Sequence, residues 1–403
     1  MVKFVHFADV HLGAFRDKRL RELNLNAFEK TIDYCIENKV DFVVIAGDLF
    51  DIAVPELEVV KKAAAKLLQL KNAGIDCFAI YGSHDYTPGQ TSVVDVLNAS
   101  GLLTKVSDGY YSDDGKLCLN ACKHSSGVSF VGISARAKSI DSSYFGDLDL
   151  ASLEKIPNPK IFLFHNTLAE TKPDFLAGVA SLPFSVFPKG FDYYAGGHVH
   201  EKTNVVEPGY GRFVFPGPLF AADYRDLEEL AKHSTGFFLV ELKNNESFAE
   251  FVELNRVCRV ELFDYSVTGK SVSRINDDLA SLLSRCSDSV VLLKLSGLLD
   301  GNVSEINFDF IRSFLEEKKC IFYLNRNALE KQSLDRVRVP FSSKREAEEK
   351  VFKELVSQQS FSSELTAPDK AFAFFEALKQ PLVEGESKKD YESRIVSAGL
   401  KCF

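Results

Sequence analysis

Short, nearly continuous apolar runs alternate with stretches of helical periodicity over the first 245 residues. The runs Val2–Ala8, Phe42–Ala46, Cys77–Tyr81, Phe130–Ile133, Ile161–Phe164, Tyr193–Ala195, Phe213–Phe215 and Gly236–Leu242 predict strands. Successive Val, Ile and Phe positions, rather than strict alternation, are expected of strands covered on both faces. Helices are predicted over Leu20–Glu37, Glu56–Ala73 and Ser92–Ala99. Strands interleaved with helices predict an α/β sheet.

The texture changes at Lys243–Ser247. Phe248–Val267 reads as a β-hairpin, Ser271–Cys286 as a helix (Ile275, Leu279, Leu282, Leu283), Ser289–Leu295 as a strand, Ile306–Lys319 as a helix and Ile321–Leu324 as a strand. Past Gln332 the chain becomes a charged helical tail. Ser343 and Glu346 have capping-box spacing ahead of Arg345–Ser357, whose apolar side holds Ala347, Val351, Phe352 and Leu355. Pro368 opens a second helix with Phe372, Phe375 and Leu378, and Ser387-x-x-Asp390 a third with Tyr391, Ile395 and Val396. These short apolar faces either dock on the rest of the chain or bind a partner. The expected domains are therefore 1–245, 246–332 and 333–403.

Composition narrows the class. A chain of 403 residues is too long for one ordinary domain, and 45% hydrophobic with 26% charged residues reads as globular. A net charge of −9 argues against holding nucleic acid by overall charge, while leaving room for local basic patches. The eight cysteines show no CxxC pairing. No secretory pattern stands at the N-terminus and no apolar stretch approaches the length of a membrane helix. Reduced, buried thiols in a cytoplasmic protein are expected, with no membrane association.

Candidate chemistry lies just after the strands. Asp9 and His11 follow the first run, Asp48 and Asp51 the second, His84 and Asp85 the third, and His165, His198 and His200 two later ones. Strand ends are where an open α/β sheet builds its site, and carboxylate with imidazole suits Mn, Fe and Zn. A two-metal centre needs a bridging carboxylate and terminal ligands for each ion. Asp48 is the candidate bridge. His165 and His198 would serve one ion and His200 the other, while Gly47, Gly82, Gly196 and Gly197 let the backbone turn sharply beside them.

Asp9-Val-His11, Gly47-Asp48-Leu49-Phe50-Asp51, Gly82-Ser83-His84-Asp85, His165-Asn166 and Gly197-His198-Val199-His200 resemble the signature of the calcineurin-like metallophosphoesterases. Leu12-Gly13 after the first motif, Pro55 after the second and Phe215–Leu219 after the last resemble the SbcD-type double-strand-break repair nucleases within that superfamily. The resemblance implies an α/β metallophosphoesterase β-sandwich flanked by helices, a small α+β DNA-capping domain, and a helical C-terminal tail that grips the coiled coil of an SbcC-type ATPase. It implies two Mn ions per subunit, with Mg, Fe or Zn as alternatives. One would sit on Asp9, His11, Asp48 and His200, the other on Asp48, Ser83, His165 and His198. His84 would touch the scissile phosphate or protonate the leaving oxygen, with Asp85 orienting its ring. Ser83 departs from the pattern, because the family usually places a metal-ligating Asn there.

The implied activity is Mn-dependent hydrolysis of DNA, as a 3′-5′ exonuclease and as a single-strand and hairpin endonuclease acting on DNA ends in a double-strand-break repair complex. The implied location is cytoplasmic, on the nucleoid in a prokaryote. The implied assembly is a homodimer through Glu56–Leu70 and Ser92–Leu103, where Val93, Val94, Leu97 and Leu102 supply a dimer face or pack on the sheet. Arg16, Lys18, Arg19, Arg21, Lys123, Arg136, Lys138, Lys202 and Arg212 are candidate DNA contacts. Two alternatives remain: an enzyme of small phosphodiesters, and a weakly active DNA-end scaffold, for which Ser83 is the hint.

Overall fold

The computed structural model describes all residues except 88–90, 136–141, 173–177, 245, 255–256, 332–343, 358–367, 384 and 402–403. Two six-stranded sheets organise the first part of the chain. The first sheet orders Glu246–Glu253, Gly236–Lys243, Val2–Phe7, Phe42–Ala46, Asp76–Ile80 and Thr104–Lys105. Its last four strands run parallel, and the first two pair antiparallel. The second sheet orders Thr203–Glu207, Gly211–Phe215, Tyr193–Gly197, Lys160–His165, Ser129–Ile133 and Cys122–Lys123, with its four central strands parallel.

Alternation along each strand sorts the side chains into layers. Phe4, Phe42, Val44, Phe78 and Ile80 meet Phe130, Ile161, Leu163, Tyr193 and Val214 between the sheets. Ring pairs bind this layer: Phe4 stacks on Phe42 at 4.9 Å and Phe78 on Phe130 at 4.0 Å. Each such ring contributes ~1.5–3 kcal/mol through burial. The opposite positions Val5, Phe7, Val43 and Ile45 pack on helices Lys18–Glu37 and Leu57–Asn72 through Phe28, Ile32, Leu67 and Leu70. The outer face of the second sheet buries Phe162, Phe164 and Phe213 with Phe145, Phe184 and Phe187. Both faces of both sheets are thus covered, which is why the strands read as unbroken apolar runs.

One expectation changes, one open choice narrows, and several short elements are new. The predicted hairpin over Phe248–Val267 does not form: Glu246–Glu253 pairs with Gly236–Lys243, while Arg259–Ser266 joins a separate sheet ordered Arg259–Ser266, Ser289–Leu299, Ile321–Lys331. Apolar runs alone do not identify a strand's partner, so the first sheet continues past residue 245. Val94 and Leu97 are buried in the core, and Val96 is the exposed apolar residue of their helix Val93–Ala99. Finally, short elements such as Gly109–Tyr111, Leu117–Leu119 and Tyr224–Leu230 went unpredicted, being too brief to show a period.

Two compact units result. One comprises Met1–Tyr265, Asn276–Leu295 and Asn307–Arg326, the other Ser266–Ile275, Ser296–Ile306 and Asn327–Phe403. In the second, Phe352 of helix Lys344–Ser357 stacks at 4.9 Å on Phe375 of helix Pro368–Leu378, so the tail has a small core of its own. Ser387 caps Lys388–Leu400 as its spacing predicted, accepting from the Asp390 N–H at 3.2 Å. Ser343 lies outside the described residues. The seven described cysteines are free thiols, and among the described residues no helix is long and apolar enough to cross a membrane.

Candidate metal centre

The loops leaving strands Val2–Phe7 and Phe42–Ala46 run side by side past the sheet edge. Asp9 N–H donates to the Gly47 carbonyl at 3.1 Å, His11 N–H to Asp48 at 3.0 Å and Leu12 N–H to Leu49 at 3.0 Å. This pairing holds Asp9, His11 and Asp48 at φ +52°, +49° and +50°, and His198 stands at +85°. Non-glycine residues rarely adopt that region, and strain of this kind collects at functional sites. Gly47 and Gly82 cannot be replaced cheaply: a Cβ on Gly47 would lie 2.5 Å from His165 Nδ1, and one on Gly82 would lie 2.0 Å from Asp48 Oδ1.

The structure brings together Asp9, His11, Asp48, His84, His165 and His200. Asp48 Oδ2 stands 3.1 Å from His165 Nε2 and 3.7 Å from His11 Nε2, while Oδ1 accepts the His84 N–H at 2.8 Å. Asp9 accepts the His198 N–H through both oxygens, at 2.9 and 3.1 Å, and lies 4.0 Å from His165 Nε2. Ligand atoms of Asp9, His11 and His200 fall within 4.8 Å of one another, as do those of Asp9, Asp48 and His165, and those of His11, Asp48 and His84. The His198 ring reaches the group more loosely, its centroid 5.3 Å from that of His165. Ser83 sits half-buried on the turn between Gly82 and His84.

The donor set fits a pair of cations. His165 Nδ1–H donates to the Ala46 carbonyl at 2.8 Å, an oxygen that can only accept, so Nε2 is the nitrogen that faces the carboxylates and that carries the lone pair once the ring is neutral. That Nε2, and both ring nitrogens of His11, are buried without a hydrogen bond. Orphaned polar atoms in so dry a place are costly, and divalent cations would satisfy all of them on the carboxylate side. Charge tells the same story. Burial works against charging His165, yet Asp48 and Asp9 override it and push its pKa up to about 10. Asp48 is likewise disfavoured by burial, and the imidazoles of His165, His11 and His84 hold it well below the usual carboxylate range. Burial raises Asp9. Burial, with the neighbouring His165, lowers His198 to about 4. A cation bound beside Asp9 and Asp48 would take the place of such imidazolium protons, so metal binding should release them.

Two residues play roles the motifs did not assign. Asp85 does not orient the His84 ring. It is buried, and its carboxylate accepts the N–H groups of Leu49 at 3.2 Å, Phe50 at 3.0 Å and Gly82 at 3.0 Å, so it ties the second and third motif loops together. The His84 Nδ1–H instead donates to the Asp51 carbonyl at 2.7 Å, leaving a half-exposed ring at the mouth of the centre, 4.7 Å from that of His11. The second is Asp226, both of whose oxygens lie 2.9 Å from His200 Nδ1. Nothing in its sequence context marked it, because its helix Tyr224–Leu230 is too short to show a period and no motif reaches that far.

Several candidate cations already have partners. Arg19 pairs with Asp17 and Arg21 with Glu56. Arg212 donates to the Ser247 carbonyl and Asn204, and Lys202 lies over the Phe251 ring at 4.0 Å. Arg136 and Lys138 lie outside the described residues.

Residues 2–202 match the family model of the calcineurin-like phosphoesterases. Three curated proteins described as the DNA double-strand break repair protein Mre11 are similar to the chain. That of Methanopyrus kandleri is 33% identical over 274 residues, covering 63% of this chain and 57% of that protein. That of Methanococcus maripaludis is 27% identical over 275 residues (67% and 71%), and that of Archaeoglobus fulgidus 25% over 346 residues (78% and 76%). The chain thus spans little more than half the length of the first of these relatives.

Proposed function

This chain belongs to the calcineurin-like phosphoesterases, and from that premise we propose that it is the nuclease subunit of a DNA double-strand-break repair complex. The observation that carries the reading is the set of buried, orphaned imidazole nitrogens of His11 and His165 turned on Asp9 and Asp48. The archaeal relatives supply the substrate class. In this reading Asp9, His11, Asp48 and His200 hold one divalent cation, and Asp48, Ser83, His165 and His198 the other. Manganese is the proposed metal, with magnesium, iron or zinc as alternatives. When bound, such a pair neutralises the charge of a phosphodiester and lowers the pKa of an attacking water.

The protein's own groups do the rest. The parallel loop pairing fixes Asp9, His11 and Asp48 before any substrate arrives, and preorganised charge needs no rearrangement during reaction. The half-exposed His84 presents Nε2 outward because Nδ1–H is committed to Asp51; it contacts the scissile phosphate or gives a proton to the leaving oxygen. Cleavage is proposed to be both 3′-5′ exonucleolytic and endonucleolytic on single strands and hairpins. The division at 245 and 332, the capping role of the middle segment and the grip of the C-terminal helices on an SbcC-type coiled-coil ATPase are kept as proposals. So is a homodimer, now through the exposed Leu57, Leu68 and Val96.

The test is a nuclease assay on end-labelled duplex and hairpin DNA with Mn, with Mg and with chelator. Metal-dependent cutting of both substrates, lost in His84→Ala with metal still bound, supports the reading. Hydrolysis of a small phosphodiester without attack on DNA would replace it by the small-substrate alternative, and DNA binding without cleavage at saturating Mn by the scaffold.

A further inference from the structure

The cation-pair reading leaves the buried carboxylate of Asp226 unused. Asp226 is 4% exposed, and both of its oxygens approach His200 Nδ1 at 2.9 Å. It is held from behind. The Ala222 N–H donates to Oδ2 at 2.9 Å, and the backbone N–H of Asp226 donates at 3.0 Å to Asp223, the N-cap of helix Tyr224–Leu230. With its carboxylate held by the Ala222 N–H and its backbone fixed on the N-cap, Asp226 cannot follow the ring, so the ring must follow it.

The imidazoles of the centre differ in what stands behind them. His165 donates Nδ1–H to a neutral carbonyl. His11 has no hydrogen bond at either nitrogen, its nearest outer carboxylate, Asp51, standing 3.4 Å from Nδ1. Only His200, of the three, leans on a charged acceptor at hydrogen-bond distance. Such an acceptor fixes which nitrogen carries the proton, sets the plane of the ring and makes the opposite nitrogen a better donor to a metal. It also adds a negative charge just behind one of the two seats.

We propose that Asp226 is a positioning residue: by fixing His200 it makes the cation seat of Asp9, His11 and His200 the tighter of the two. In the opposite seat His165 leans on a neutral carbonyl, and that seat offers a serine hydroxyl at residue 83. The two ions are then taken up in order, the His200 side first. This rests on the two-cation reading above.

Manganese titration of the metal-free full chain, followed by electron paramagnetic resonance without DNA, tests it. Wild type should bind two ions in two separable phases. Asp226→Asn should weaken the tighter phase by about 10–100-fold and leave the weaker unchanged, and Asp226→Glu, which keeps the charge, should recover part of the loss. In a His200→Ala background Asp226→Asn should change nothing further. Two tight phases in Asp226→Asn, or an equal loss whether or not His200 is present, overturns the proposal. Should the variant not fold, the ring nitrogens of wild-type His200 decide by nuclear magnetic resonance: a protonated Nδ1 is required, and a bare Nδ1 overturns it. Two ordered ions without any DNA cleavage would sink the nuclease reading alone, whereas fewer than two ions in wild type would sink both.

Discussion

Replacing Asp85 by Ala removes an acceptor, and the structure says what it serves. Three backbone donors, from Leu49, Phe50 and Gly82, converge on a carboxylate that is 1% exposed. Each buried donor left without a partner costs ~1–3 kcal/mol. Water entering the space left by the side chain would satisfy at least one of them, so the net loss should be ~3–6 kcal/mol. For a domain of this size each kcal/mol lowers Tm by roughly 2–4 °C, giving a fall on the order of 10 °C or more. Thermal melting of metal-free protein, followed by far-ultraviolet circular dichroism, reads this without substrate or cation. Manganese affinity should fall with it, because the tied loop carries Asp48. A variant that melts within about 2 °C of wild type and loses only its rate of cleavage would refute the reasoning and return Asp85 to the role of orienting His84.

Other substitutions probe the same centre. Gly82→Ala should abolish metal binding, since the new methyl lands 2.0 Å from Asp48 Oδ1 and 2.2 Å from its backbone nitrogen; calorimetric titration with Mn checks this. Ser83→Asn should tighten the weaker ion, so that at limiting Mn the variant holds more metal than wild type; equal occupancy and equal rate would sink that expectation. His6 is buried between the sheets against the Tyr193 hydroxyl at 2.9 Å, and burial lowers its pKa to about 3. The unfolded chain takes up that proton near pH 6.5 and the folded protein does not. The stability associated with His6 is therefore full above pH 6.5 and lost as pH falls toward 3, by ~3–5 kcal/mol in all. Melting curves of His6→Gln across that range should fall less steeply than those of wild type.

Much of this was legible in the sequence because both the sandwich and the centre follow from local patterns. Strands covered on two faces must be apolar at every position, so eight of them announced themselves. The ligands cluster at strand ends, most of them within a few residues of glycine. What escaped was non-local. The strand Glu246–Glu253 and the strand Arg259–Ser266 look alike as runs, and only the register against Gly236–Lys243 separates them. Asp85 follows His84 directly, which invites pairing the two, but adjacent residues on a tight turn point apart. Asp226 lies 26 positions beyond His200, and no spacing rule connects them. Val94 and Leu97 show that an apolar helix face does not say whether it meets its own sheet or a second copy.

Anomalous diffraction from crystals soaked in manganese would locate the cations themselves. Two peaks roughly 3.5–4 Å apart are expected, with Asp48 between them, Asp9, His11 and His200 around one, and His165 and His198 beside the other. One peak alone, or peaks away from these side chains, would contradict the account and leave a layered fold without the chemistry assigned to it.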